Sequence, residues 1–126
     1  MSEPCPCDTG KPYPACCGRF HEGRPAPTAV ALMRSRYAAF ALGLADYVLT
    51  TWHPTTRPGR LDLDDGVTWT GLVIESTEAG RAWEATGAVA FAASWSDIHG
   101  GSGVLRERSR FALVDGRWLY VDGAHS

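Results

Sequence analysis

The sequence has no apolar run approaching the roughly 20 residues that a membrane-spanning helix needs. Its opening, "MSEPCPCDTG", has no basic cluster and no apolar core, so no secretion signal is read there. Both absences predict a cytoplasmic protein with no membrane partner. The formal net charge is only -2, which excludes a general attraction to nucleic acid or to an anionic membrane. After Cys17 cysteine is lacking altogether, because all four lie within "CPCDTGKPYPACCG", residues 5–18. In a reducing compartment such crowding points to a metal or redox site rather than to disulfides.

Three chemistries compete for the cluster. Cys16 and Cys17 are adjacent and Cys5 and Cys7 are one residue apart, so a disulfide within either close pair would be strained. A redox pair wants Cys-x-x-Cys at a helix start, and that spacing is absent. Four thiolates around one tetrahedral zinc ion fit the spacing best, with Gly10, Pro12 and Pro14 letting the loop double back. So short a segment cannot order itself by apolar burial, whereas structural zinc contributes on the order of 10 kcal/mol to such peptides. The expectation is one structural Zn2+ held by Cys5, Cys7, Cys16 and Cys17. With every position filled, it has no place for water or substrate and does no catalysis. Lys11 and Arg19 are candidate donors to the cluster's negative charge, and His21 is read as a packing or surface histidine rather than a ligand.

These residues carry a resemblance. "CPCDTGKPYPACCG" resembles the SEC-C motif, the small zinc element at the tail of the SecA translocation ATPase and in many unrelated proteins. The usual form runs Cys-Pro-Cys-Gly-Ser-Gly-Lys before a Cys-Cys or Cys-His pair. Here Asp8 and Thr9 replace the Gly and Ser; neither is a ligand position, so the departure concerns loop geometry. In the ATPase the element looks like a docking surface, and the resemblance implies that this segment recruits a protein partner.

The 126-residue chain, 44% hydrophobic with five Trp, four Tyr and four Phe, suits one compact domain over residues 24–126, with segment 1–23 as an appendage. Thr28 reads as the N-cap of a helix from Val30 to Leu42, with Leu32, Met33, Tyr37, Phe40 and Leu44 at three-and-four spacing and Gly43 as the stop. Asp46 is read as the cap of a second short helix, "DYVLTTW", ended by His53-Pro54. Residues 53–66 read as a polar loop. Four strands follow, "VTWTGLVIEST", "ATGAVAFAASWSDI", "GVLRERSRFALV" and "RWLYVD", with Asp115-Gly116 as a two-residue hairpin turn.

Counting back from that turn pairs Leu113 with Trp118, Phe111 with Tyr120 and Ser109 with Asp122, all on one face. Val89, Phe91, Ala93 and Trp95 join this face only if the preceding loop is odd, for example Gly100-Gly101-Ser102. That loop sets Trp95 opposite Glu107 and Phe91 opposite Phe111. Glu107 then intrudes on the apolar face beside Ser109, while Arg106, Arg108 and Arg110 line the other face next to Ala88, Ala90 and Ala92.

Helices followed by a four-stranded antiparallel meander give an α+β fold with helices laid on one face of a curved sheet. This is similar to the nuclear transport factor 2-like (cystatin-like) cone, which encloses a pocket. "APTAVALMRSRYAAFALGLADYVLTTWHPTTRP", "GLVIES" and "ERSRFALVDGRWLYVDG" resemble, in order, the YchJ-like family of small bacterial proteins. That family joins an N-terminal SEC-C element to a nuclear transport factor 2-like domain. The resemblance covers nearly the whole chain and implies the fold and the zinc; it implies no activity.

The candidate pocket residues are Glu107, Ser109, Tyr120 and Asp122 from the sheet, Arg34, Arg36 and Tyr37 from the helix, and Trp52 and His53 at the loop entrance. Glu107 near an arginine could orient a polar or anionic small ligand, and His53 beside a carboxylate could act as a base. The competing reading is a buried Glu–Arg pair that only fixes the helix on the sheet. The arginine row reads first as a solvated face that resists edge-to-edge pairing, and second as a binder of phosphate or an acidic partner. Aromatic and basic residues do not interleave on it as nucleic-acid binding requires. Three classes of function follow: a module recruiting a protein through its zinc segment, a small-molecule binder or isomerase/dehydratase-type enzyme using the pocket, and a structural dimer. The first is favoured, because a filled zinc site does no chemistry and no His–carboxylate dyad stands close in the chain.

Overall fold

Thr28 caps the long helix as its sequence demands. In the computed structural model, which describes residues 3–63 and 66–125, its hydroxyl accepts the Ala31 N–H at 3.1 Å, and α2 runs over Ala29–Leu42. Gly43, at φ 75°, takes the left-handed turn that stops the helix. Ahead of it lie a 3-10 turn, Tyr13–Ala15, and the single turn of α1, Gly18–His21. The next helix, α3, spans Ala45–Thr50. Leu44 rather than Asp46 occupies its cap: the chain re-enters the helix directly after Gly43, which leaves Asp46 in the first turn, where only its charge can help. The Thr51 hydroxyl donates back to Tyr47 O at 2.8 Å, and α3 ends before Trp52 rather than at His53. Of the polar loop 53–66, positions 64 and 65 lie outside the described residues.

Strands β1 (Val67–Ala79), β2 (Thr86–Asp97), β3 (Ser102–Val114) and β4 (Arg117–His125) form one antiparallel sheet in that order. The expected hairpin pairs Leu113–Trp118 and Phe111–Tyr120 are present. Beyond them the register shifts, because a bulge at Val121 sets Asp122 opposite Arg110 and Gly123 opposite Ser109. The expected Ser109–Asp122 pair is therefore replaced, and Asp122 turns to the outer face.

Counted between the last paired residues, Ser96 and Ser102, the β2–β3 connection is odd, as face matching requires, but it takes in Asp97–Gly101 rather than Gly100–Ser102. Asp97 Oδ1 accepts the N–H groups of His99 and Gly101, both at 2.9 Å, which tightens the turn earlier in the sequence. Phe91 consequently faces Glu107, and Trp95 faces Gly103, where a Cβ would lie 3.0 Å from the indole. The inward face of β2 keeps its residues and changes its partners.

Bulges in β1, between Trp69 and Gly71 and between Ile74 and Ser76, bend the sheet and shift its alternation. Leu72 and Ile74 face Ala93 and Phe91, and Val73 is turned outward. Helix α2 packs across β1, β2 and β4, burying Leu32, Met33 and Tyr37 against Leu72, Val89, Phe91, Phe111 and Trp118. The cysteines and Phe20 belong to this same core. Through these residues the described part of segment 1–23 packs against the core of the sheet and α2. No helix among the described residues is long and apolar enough to cross a membrane.

Candidate metal centre and binding cleft

The four cysteine sulfurs lie within 4.8 Å of one another and all four residues are buried. Ligands about 2.3 Å from a tetrahedral ion would sit about 3.8 Å apart, so the cluster fits one metal ion. Cys5 and Cys7 come from a loop closed by Cys5 N–H donating to Lys11 O at 2.9 Å; Cys16 and Cys17 lead into α1. Hydrogen bonding, first of all from Cys17, pulls the Cys7 thiol down to about 4, while burial pushes Cys5 up to about 11. The shared hydrogen bond with Cys7, reinforced by burial, drives Cys17 well above the ordinary thiol range. A cation set among the four sulfurs would favour their thiolate forms.

The two departures from the usual SEC-C pattern fit without disturbing the ligands. Asp8, standing where glycine is customary, takes a left-handed φ of 71°, a conformation Asp tolerates better than most residues. Thr9 retains a hydroxyl where serine is customary, 3.2 Å from the Cys16 sulfur. Arg19 donates to Cys16 O at 3.0 Å rather than to a sulfur, and the Lys11 side chain is exposed.

His21 stands outside the sulfur cluster and acts as a clasp. Its Nε2–H donates to Ser35 O at 2.8 Å, so its Nδ1 accepts from Tyr13 O–H at 2.5 Å. That pairing joins both parts of the segment to α2. Burial holds the His21 pKa below its ordinary value.

Arg34 and His53 leave the pocket to which the sequence assigned them. Arg34 Nη1 donates to Cys7 O at 2.8 Å, on the metal side of α2. The His53 Nδ1 accepts from Thr55 N–H at 3.2 Å, and its backbone N–H donates to Tyr120 O at 2.7 Å, so it serves the chain's attachment to β4. Asp122 pairs with Arg110 on the opposite face.

Arg36, Tyr37, Trp52, Glu107, Ser109 and Tyr120 do come together, around a cleft of about 240 Å3. The sequence missed its apolar walls, Met33, Phe40, Trp69, Phe91, Ala93 and Leu105; the in-phase positions of β2 were the available signal. Arg36 is 4% exposed, and its Nη1 donates to Val48 O at 2.7 Å and Thr51 Oγ1 at 2.8 Å. Its guanidinium carbon lies 4.5 Å from the Tyr120 ring centre and 5.1 Å from that of Trp52. Burial lowers its pKa to about 10, and Glu107 works against that fall. Ser109 Oγ donates to Glu107 Oε2 at 2.7 Å, and Gly123 lets β4 pass where a Cβ would lie 2.5 Å from that oxygen. Burial pushes the Tyr37 hydroxyl up to about 12. The outer arginines are all engaged: Arg106 with Glu75 at 3.6 Å, Arg108 with Glu78, and Arg110 with Asp122.

Comparison with known proteins accounts for the whole chain. A SEC-C motif matches residues 1–19, and the YchJ middle nuclear transport factor 2-like domain matches residues 28–123. A UPF0225 protein of Streptomyces coelicolor is 60% identical over 121 residues, covering 95% of this chain and 94% of its own length. One from Deinococcus radiodurans is 54% identical over 123 residues, covering 97% and 89%. The solution structure of a SEC-C motif containing protein from Rhodopseudomonas palustris superposes with a TM-score of 0.83 at 32% identity, covering 100% of this chain and 99% of that one.

Proposed function

The chain belongs to the YchJ-like, UPF0225 family, in which a SEC-C segment precedes a nuclear transport factor 2-like domain, and on that premise we propose that it is a small-molecule-binding protein with a zinc-braced fold. One observation carries this reading: a charged, buried Arg36 opens on an aromatic-walled cleft shared with Glu107. A core built for packing alone closes such a space. The purely structural alternative, an Arg36–Glu107 pair, gains no support from the guanidinium's hydrogen bonds, which go to Val48 and Thr51. An amide-resolved NMR screen of small aromatic compounds against the full chain tests it. Shifts confined to residues around Tyr37, Trp52, Glu107 and Tyr120 support the reading; compounds that touch only other surfaces, or none that bind, overturn it.

In this reading Cys5, Cys7, Cys16 and Cys17 hold one zinc ion, which supplies folding energy and no chemistry. Elemental analysis should find about one zinc per chain. Thiolates kept for a metal suit a reducing cytoplasm. His53, the base an enzymatic version would need, faces Thr55, so binding is favoured over catalysis.

A second reading, recruitment of a protein partner by the zinc segment, is favoured by a separate observation. With its sulfurs turned inward, the segment presents Pro4, Lys11, Pro12, Pro14 and Arg19 to solvent. Removing residues 1–23 would strip the core, so the cleaner test is Lys11→Glu with Arg19→Glu. A partner captured by the intact chain and lost by this variant supports recruitment; equal capture by both overturns it.

A further inference from the structure

Arg36 has more hydrogen-bonding capacity than its surroundings use. Its Nη1 serves Val48 O and Thr51 Oγ1, while Nε and Nη2 have no protein acceptor among the described residues. Trp118 Nε1 is the one fully enclosed side-chain nitrogen or oxygen without a partner among those residues, so the remaining Arg36 nitrogens open on the cleft they line. The described ion pairs of the chain do not include Arg36. A guanidinium that is 4% exposed, with no carboxylate at ion-pair distance among the described residues, is a costly group to bury, and a bound anion offsets that cost.

The walls and the far end narrow the identity of that anion. Trp52 and Tyr120 meet edge to face with ring centres 5.1 Å apart, and Tyr37 and Trp69 do so at 6.2 Å. Such walls favour a flat ring. A volume of about 240 Å3 falls short of the roughly 300–1,000 Å3 typical of drug-sized sites, so the occupant is small. Glu107 shares the space and is electrostatically coupled to Arg36, so its carboxylate repels a second negative charge. Building on the small-molecule reading above, we propose that the cleft binds a small, flat, singly charged aromatic carboxylate. Its carboxylate is held by the free edge of Arg36, and its ring lies among Tyr37, Trp52, Trp69 and Tyr120.

The test titrates the full-length chain with benzoate, 4-hydroxybenzoate, neutral 4-cresol and phenyl phosphate. Binding is followed by amide and indole N–H shifts around the cleft, where Trp52 and Trp69 lie, with total tryptophan fluorescence as a second signal. Both carboxylates should bind at least about tenfold more tightly than 4-cresol or phenyl phosphate, the increment of one charge-assisted hydrogen-bond pair. Arg36→Lys, which keeps the charge and loses the fork, should weaken the carboxylates about tenfold and leave 4-cresol within about twofold. The ranking in the unmodified protein decides the matter even if that variant folds poorly. If 4-cresol or phenyl phosphate matches the carboxylates, the ligand class is wrong and the cleft reading survives. If none of the four moves a cleft residue, this proposal fails with the probes, and the wider screen then decides the cleft reading separately.

Discussion

Arg34 and Arg36 stand two residues apart on α2, one bonded to the cysteine loop through Cys7 O and the other buried toward the cleft. At 3.6 residues per turn they point about 200° apart, so a single helix braces two different sites. The cysteine region is local: its four sulfurs fall between Cys5 and Cys17, in a cluster that could hold one metal ion. The cleft is non-local, drawing on α2, Trp52 and all four strands, and it exists only when the strand register is right. Their shared helix makes a mechanical claim, that order in one region supports the other.

Removing the metal ligands is the strongest way to break this comparison. Structural zinc is worth on the order of 10 kcal/mol, comparable with the roughly 5–15 kcal/mol that holds a whole domain together. Because Cys5, Cys7, Cys16 and Cys17 share one core with Leu32, Met33 and Tyr37, Cys17→Ser or a strong chelator should abolish the cooperative thermal transition of the entire chain, as followed by circular dichroism. A preserved transition for residues 24–126, with only the segment lost, would restore the appendage picture suggested by composition.

The two arginines provide the next test. Arg36→Met leaves Val48 O and Thr51 Oγ1 without a charged donor and should cost roughly 2–3 kcal/mol in urea unfolding, with metal release little changed. Arg34→Met removes one half-buried bond to Cys7 O and should cost about 1 kcal/mol, yet speed metal release to a chelator. If both variants release metal at the same rate, α2 does not divide its roles as described.

The cysteine centre was legible because its ligands are neighbours in sequence and thiolate chemistry leaves few alternatives. The cleft was only half legible. Parity alone placed Phe91, Glu107 and Ser109 on the inner face, and parity survives a displaced turn. What parity cannot show is a bulge, and the extra residue at Val121 carried Asp122 to the outside. Arg34 was misplaced for a different reason: helical phase separates it from Arg36, and the spacing itself was enough to show that.

His21 tests the clasp between the two regions by acidity. Burial places its folded-state pKa below the ordinary 6.5, so as pH falls through that value the unfolded chain takes up the proton first. Stability from this residue is therefore complete above about pH 6.5 and declines below it, until the folded state also protonates. Protonation also removes the acceptor for Tyr13 O–H. Denaturant unfolding from about pH 7.5 to about pH 5.5 should show a steeper decline for the native chain than for His21→Gln. Parallel curves would mean that the clasp does not titrate.

The outer face should give the smallest response, which is what makes it a useful control. Arg106, Arg108 and Arg110 each reach a carboxylate while their side chains stay 56%, 51% and 61% exposed, and such pairs contribute little once solvent and salt screen them. Arg110→Ser should move the melting midpoint by no more than about 2 °C, and by less at high salt. The arginines matter more for what they keep away. Val73 and Val104 stand on the same side of the sheet at 61% and 51% exposure, and they lose charged neighbours when all three arginines become serine. The triple variant should therefore self-associate in sedimentation experiments while melting near the native temperature. A melting loss as large as that of Arg36→Met would mean that this face, like the buried one, holds the sheet together.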